Sequence, residues 1–503
     1  MSAVADVTND RSIEGAVARR PGPVQGALAV GVGVVGAIGV ISGTWWILIA
    51  GVAGLIGSLL TLAKPVLGIF GLVVLGPEIT SYARLSLPSG IPDLTVPRLA
   101  VGLVATSMLV SFHLGLRGLR PIIDVEKAML GFIAVVYLDL FIRVGDVGSQ
   151  SLELLDEFVA PFLLFYLTRN LFRARSEIKK FCYAMALSGV VLASHGAYQF
   201  ATHSGGGQPM ASASGGRSDT GHVETGRATG PFDNAAEYGC FVSFAFLWTL
   251  FLVLHESRGL ERFALLIALG VIGMGALLSL GRAIWLALAL AVLLIAWLER
   301  RWRFAIVVCC LAVVVVGAVG VVVVAPDQNR VEDRYGAMGP IYMRVVVYRA
   351  ALTMFLEKPI LGYGRGERTF VVERQDHLKP VFGIPAYWGN MLGPPHNSFL
   401  FTLVQWGLVG LVFYVSVIYF LLRRAWRVVT TLEENSLERR LSVIFLATSV
   451  IFLTQAMFAD SMMLLYLSMG YFIGAGVALA RTTFNGAWPP SGKGDSVLPA
   501  IVK

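Results

Sequence analysis

Long apolar stretches, broken by short polar ones, run through this chain from about residue 25 to about residue 480. A helix needs about 17 to 25 mostly apolar residues to cross roughly 30 Å of hydrocarbon. Fourteen candidate spans meet or approach that length, at 25–42, 44–62, 65–78, 97–115, 128–143, 155–172, 180–200, 235–255, 262–280, 283–299, 304–325, 397–422, 441–459 and 461–480. The segments at 65–78 and 128–143 are short for a full crossing, and 25–62 is nearly continuous, so the pattern allows twelve to fourteen. Two polar stretches are longer than connecting turns. The first, 201–234, is Gly/Ser-rich around Ser204-Gly205-Gly206-Gly207 and reads as a flexible loop. The second, 326–396, is rich in aromatics, Gly and Pro. Within it Ile341, Val345, Tyr348, Leu352 and Phe355 recur at helical spacing, which predicts a helix lying on a membrane or packed on the bundle, in a loop that is itself folded.

The expected architecture is therefore an all-α polytopic transmembrane bundle with one long folded loop. Its parts are a tail at 1–24, a first bundle at 25–325, the loop at 326–396, C-terminal helices at 397–481 and a tail at 482–503. Composition agrees, because 503 residues at 56% apolar, 14% charged and mean hydropathy +0.72 cannot bury that surface in a soluble core. Charge orients the bundle. With both termini inside, short inside segments hold 25 of the 40 Lys and Arg, short outside loops hold six, and the remaining nine fall in 326–396. That is the bias expected of cytoplasmic loops, and it puts 201–234 and 326–396 on the outer face. The net charge of +8 is spread over many loops, which argues against a nucleic-acid-binding stripe. Cys182, Cys240, Cys309 and Cys310 lie in or beside spans, a distribution that suggests neither a disulfide framework nor a thiolate metal site. The first 24 residues read as a cytoplasmic tail and not as a cleaved signal peptide.

Where the long loop meets the next span, the chain reads Gly393-Pro394-Pro395-His396-Asn397-Ser398-Phe399-Leu400. A histidine after two prolines at the mouth of an apolar helix is badly placed for packing and well placed for chemistry at a membrane surface. Other short patterns accompany it: Thr229-Gly230-Pro231-Phe232-Asp233-Asn234, Leu278-Ser279-Leu280-Gly281-Arg282-Ala283-Ile284-Trp285-Leu286, Arg344 to Leu352, Pro359-Ile360-Leu361-Gly362-Tyr363-Gly364 and Gln405-Trp406-Gly407-Leu408-Val409-Gly410. In this order and topology the chain resembles the O-antigen ligase and O-antigen polymerase superfamily, well over 225–425 and elsewhere by hydropathy alone. The resemblance implies a multi-pass protein of the bacterial inner membrane. It implies transfer of a glycan from an undecaprenyl-pyrophosphate carrier to a sugar hydroxyl at the periplasmic face, without a metal or other cofactor. Its partners would be that donor, a glycan or lipid A-core acceptor, membrane lipids and other polysaccharide-assembly proteins.

Read against that reaction, His396 is the candidate base, since imidazole takes a proton near neutral pH and a helix capped by Asn397 or Ser398 would keep it neutral. Arg282, nearly alone in a short outer turn and preceding a helix, is the leading candidate for the pyrophosphate, with Arg227, Arg344 and Arg349 behind it. Glu157 with Glu153 and Asp156, and Asp460 near the end of the chain, are candidates for orienting His396 or binding acceptor hydroxyls; Asn397 belongs to the same group. Structural alternatives stand beside each: a loop-bonding histidine, snorkelling or solvating arginines, and carboxylates that only pair with arginines. Gly362-Tyr363-Gly364-Arg365-Gly366 does not read as a nucleotide loop, because no βαβ unit surrounds it. A lipid-linked glycan flippase or other transporter is the competing class; it would need ionisable groups deep in several spans, where Asp139 is almost the sole example. Aromatics around Tyr387-Trp388-Gly389 suggest sugar stacking and favour a polymerase over a ligase.

Overall fold

The computed structural model describes residues 45–80, 84–85, 94–116, 118–143, 147–202, 227–232, 234–304, 306, 339–365, 367–391, 393–459 and 464–482. The expected spans at 25–42 and 304–325, most of the loop at 203–226, the tails and Asp460 lie outside them, save for a few residues. One compact unit ends at Leu59 and contains most of helix α1 (Trp45–Ala63). The second unit holds everything that follows. Its helices are α2 (Pro65–Val74), α3 (Gly76–Thr80), α4 (Val96–His113), α5 (Asp124–Arg143), α6 (Val147–Leu154), α7 (Ala160–Leu171), α8 (Arg175–Thr202), α9 (Ala235–Phe251), α10 (Gly259–Leu278), α11 (Arg282–Leu298), α12 (Gly339–Glu357), α13 (Glu367–Glu373), α14 (Ser398–Thr431), α15 (Leu437–Phe458) and α16 (Leu465–Leu479). One two-residue antiparallel pairing, Arg84–Leu85 with Leu94–Thr95, is the only ladder among the described residues, so the fold is the expected all-α bundle.

Among the described residues, six helices are long and apolar enough to cross a membrane by themselves: Val96–His113, Arg175–Thr202, Ala235–Glu256, Gly259–Leu278, Ser398–Thr431 and Leu437–Phe458. Three expected spans differ in detail. The stretch 65–78 is two helices parted at Leu75, the stretch beginning at 128 starts instead at Asp124, and the one beginning at 155 starts at Val147 and passes a π-helical turn at Leu155–Val159. Polar caps and prolines set several starts, with Asn234 accepting from Ala236 N at 2.7 Å ahead of α9 and Asn397 accepting from Leu400 N at 3.0 Å ahead of α14. Helix α9 is buried on all sides, and its ring of aromatics, including Tyr238, Phe241, Phe244 and Trp248, fills the centre of the bundle.

Ion pairs tie the helix ends together on one side. Arg169 pairs with Glu126 at 2.8 Å, Arg175 with Glu256 at 2.7 Å, Arg439 with Glu299 at 3.1 Å and Arg481 with Glu438 at 2.8 Å. These segments are the Lys/Arg-rich ones, so the loops that charge assigned to one face do meet at one end of the bundle. The opposite end gathers the described residues 227–232, 278–282, 393–398, 457–459 and 464–466 with the helix α12, linked by contacts such as Arg227 with Ser279, Tyr348 with Met457 and Phe232 with Tyr466.

The long loop is folded over its described part, and its helix is α12. The buried face differs from the expected stripe: Val346, Val347, Ala350, Ala351 and Met354 are buried, whereas Ile341 and Leu352 are exposed. The physical reason is a second small core, in which Val347, Ala351 and Met354 meet Phe370 from α13 and Phe401 and Val404 from α14. Small residues let α12 lie close against α14. At Gly407, helix α14 is broken, and the segment 359–364 repairs it: Tyr363 N donates to Val404 O at 2.8 Å, Gly364 N to Gln405 O at 2.8 Å, Leu408 N to Pro359 O at 2.8 Å and Val409 N to Ile360 O at 3.3 Å.

Candidate active site

His396 sits in the bend that precedes α14, with φ of 49°, a left-handed conformation that costs a side-chain-bearing residue about 1–3 kcal/mol. Its surroundings enforce that bend. Arg374, almost fully buried, donates through Nη1 to Gly393 O and stacks 5.6 Å over the ring of Phe370, which in turn meets Phe401 at 5.9 Å. Tyr348 Oη lies 3.4 Å from His396 O and 3.1 Å from Met457 O. Asn397, besides capping α14, donates from Nδ2 to Met457 O at 3.4 Å, and Ser398 Oγ donates to Ala459 O at 3.2 Å. Arg344 Nη2 donates to Phe458 O at 3.5 Å. The histidine is thus clamped between α12, the start of α14 and the end of α15.

Burial pushes the His396 imidazole down to about 4, and the nearby Arg344 charge adds to the shift. With desolvation and Arg344 lowering its proton affinity, the ring is neutral near pH 7.

Arg282 is the first residue of α11 and is exposed. The turn before it, in which Leu280 takes φ of 47°, is stitched to the segment ahead of α9: Arg227 Nε donates to Ser279 O at 2.8 Å and Ala228 N to Leu278 O at 3.1 Å. Gln199 of α8 locks the same segment, donating to Gly230 O at 2.7 Å and accepting from Gly230 N at 2.8 Å. Arg227 and Arg282 therefore share one turn, beside the N-terminus of α11. Helices α11 and α15 pack along their length, joined at the far end by the Glu299–Arg439 pair. Arg282 is 17 residues from Glu299, and 17 residues on from Arg439 is Ala456, so at about 1.5 Å per residue both advance roughly 25 Å. The Arg282 turn is thereby level with Met457 and Phe458, the residues that meet Asn397, Tyr348 and Arg344.

Other candidates stand elsewhere. Arg349 is exposed on a different face of α12 from Arg344. Glu157 meets Arg365 at 3.1 Å, and Glu153 and Gln150 meet the same guanidinium at 3.2 Å and 3.1 Å. Asp156 pairs with Arg98 at 2.7 Å, and Asp139 with Arg143 at 3.1 Å. These carboxylates partner arginines outside the His396 cluster. Arg374, Tyr348 and the buried Arg365 were not singled out by sequence: Arg374 carries no local pattern, Tyr348 read as part of an apolar stripe, and Arg365 lay in a glycine stretch weighed only as a nucleotide loop. Among the described residues, no three His, Cys, Asp or Glu side chains gather as a metal site requires.

Bundle and site together define a multi-pass helical membrane protein in which a folded loop carries a clamped histidine. Residues 263–415 match the family model described as O-Antigen ligase, a stretch that runs from α10 into α14 and includes Arg282, Arg344 and His396. Over this stretch, and by this match, the chain is similar to the O-antigen ligase family. No curated protein matches the chain.

Proposed function

We propose that the protein is an integral-membrane glycosyltransferase that moves a glycan from an undecaprenyl-pyrophosphate carrier to a sugar hydroxyl at the periplasmic face of the bacterial inner membrane, with both termini cytoplasmic. The carrying observation is His396, held neutral in a strained bend inside the matched domain, beside Arg344. In this reading His396 accepts the acceptor hydroxyl proton as the acceptor oxygen bonds to the anomeric carbon and the bond from that carbon to the pyrophosphate oxygen breaks. A lowered proton affinity then lets the imidazolium pass the proton on to the leaving pyrophosphate or to water. Arg282, with Arg227 and the N-terminus of α11, takes up the charge that develops on the leaving group; Arg344 lends positive charge near the base. The arginines supply this charge without a metal.

We favour extension of a growing glycan over transfer of a finished one to lipid A core. Tyr387 and Trp388 stack at 5.4 Å and Tyr342 meets Trp388 at 5.8 Å, a partly exposed aromatic cluster, with Tyr387 at the surface, of the kind that sugars stack on, carried by the same loop as His396. The test is transfer by purified protein from an undecaprenyl-pyrophosphate glycan. His396→Ala is expected to lower turnover by about 10²- to 10⁴-fold while the protein remains folded. Normal product from a well-folded His396→Ala variant overturns the reading.

A further inference from the structure

The loop helix α12 does not stand off from the bundle; it runs down beside the first turns of α14. Tyr348 is level with His396, Met354 packs with Phe401 and Val404, and Pro359 to Gly364 pair with Val404 to Val409. Descent along α12 therefore follows descent along α14 as far as Ile360, after which the chain turns back and Tyr363 and Gly364 pair with Val404 and Gln405. At the other end of α14, Trp426 stacks with Trp297 at 6.2 Å, both exposed, as a pair in an interfacial aromatic belt would be. Gly407 is 19 residues from Trp426, about 28 Å of helix, close to the roughly 30 Å of a hydrocarbon core. The break in α14 thus falls at the opposite boundary of the hydrocarbon. Irregular backbone at that depth is tolerated only if its polar groups are satisfied, which the pairing with 359–364 achieves.

On the outward side of this descending segment, Leu352, Leu356, Ile360 and Leu361 are 50–73% exposed, in a loop that hydropathy alone assigns to water. Four large apolar side chains on one short stretch make a patch that needs covering. They continue directly into exposed Leu408, Val412 and Val415 on the membrane face of α14. At the upper edge Arg349 is exposed, and Lys358 reaches back 3.9 Å over the Tyr363 ring, the behaviour of a cation drawn toward an interface.

We infer that the Leu352–Leu361 segment rests in the lipid leaflet at the loop end of the bundle, with Ile360 and Leu361, level with Gly407, at the edge of the acyl chains, Leu356, Glu357 and Lys358 in the head-group layer, and Leu352 at the outer edge of that layer. The helix carrying Arg344 and Tyr348 is thereby anchored in depth, and the reaction centre rides about 15 Å above the hydrocarbon boundary, ten to eleven residues of α14 beyond Gly407. This inference rests on the membrane topology and not on glycosyl transfer, so it can fail while the proposed reaction stands.

The experiment uses the full chain in phosphatidylethanolamine/phosphatidylglycerol vesicles, with the native cysteines replaced and one nitroxide in turn at Arg349, Leu356, Ile360 and, as a solvent reference at the far end of α12, the exposed Asn390. Collisions with oxygen and with a water-soluble nickel chelate are compared by power saturation. Contact with the leaflet predicts that the oxygen-to-nickel accessibility ratio rises from Asn390 through Arg349 and Leu356 to Ile360, by about tenfold at Ile360, since the nickel chelate is excluded from hydrocarbon. Nickel-dominated collisions at Leu356 and Ile360 overturn the inference. Shielding of both sites from both reagents also overturns it, because it would show a protein partner or a second copy covering the patch.

Discussion

Gly362 and Gly407 fit against one another only because neither has a side chain. Both are left-handed, with φ of 64° and 60°, and a Cβ on Gly362 would press into the carbonyls of Val404 and Gln405, while one on Gly407 would press into Ile360 O. Each glycine lets a carbonyl or amide of the other segment come close enough to bond, and this turns a break in a membrane helix into a four-bond junction. Gly407→Ala or Gly362→Ala is expected to cost at least about 2 kcal/mol from backbone strain and overlap together. Thermal or denaturant unfolding of the detergent-solubilised protein measures it, and an unchanged midpoint for either variant would refute the junction's importance.

That junction also marks how far the sequence could be read. The spans were legible because hydropathy is a local signal, and the start of α14 was legible because an Asn before an apolar run is a local cap. The sequence patterns around Gly362 and Gly407 were visible separately, but their common cause is a pairing across some forty residues, which no local periodicity encodes. The α12 helix was found at nearly its true length while its buried face was misjudged, since Val347, Ala351 and Met354 face the small core shared with α14 whereas Ile341, Leu352 and Leu356 face outward. His396 stood out by its prolines; Arg374, which holds Gly393, did not, because a buried arginine is identified by what folds around it.

The pH dependence follows from the direction of the His396 shift. A base whose folded-state pKa is lowered to about 4 stays neutral above that value and loses its function only as pH falls through it. kcat/KM should therefore show no acid limb attributable to His396 between pH 8 and about 5. An acid limb near the ordinary imidazole value, absent in His396 variants, would show that the ring is not desolvated as described.

Arg374 is expected to act on the rate through His396. It touches Gly393 O and the Phe370 ring, and loss of either contact frees the bend that fixes the imidazole. Arg374→Met should lower kcat by about 10- to 100-fold, the usual consequence of a displacement near 1 Å, with KM nearly unchanged. Arg374→Lys should recover little, because lysine cannot stack a planar fork on the ring. Steady-state kinetics on variants matched for thermal stability decide it; a pure KM effect would point to substrate binding instead.

At the basic end, Arg169 and Glu126 are both almost fully buried, and Glu126 also accepts from Ile123 N at 2.9 Å. Arg169→Ala strands a buried carboxylate and should destabilise the bundle by about 3–5 kcal/mol, whereas the pair replacement Arg169→Met with Glu126→Leu should lose much less. Denaturant titration of the two variants compares them. Equal losses would mean that the ion pair itself, and not the avoidance of a lone buried charge, stabilises this end.

Arg282 separates charge from geometry. It is exposed at the first position of α11, where a cation finds no help from the helix N-terminus and an anion does, so a lipid-anchoring role and a phosphate-binding role predict different things. An anchor needs only a long cationic chain and tolerates lysine. A pyrophosphate clamp uses the planar two-donor fork, so Arg282→Lys should fail nearly as badly as Arg282→Ala, by about 10²-fold or more in kcat/KM for the pyrophosphate-linked donor. Because arginine supplies the charge, EDTA should change the rate little. Transfer by purified protein, with EDTA and with each variant, carries the test: full activity in Arg282→Lys, or activity abolished by EDTA and restored by magnesium, would replace the arginine clamp with a different source of leaving-group stabilisation.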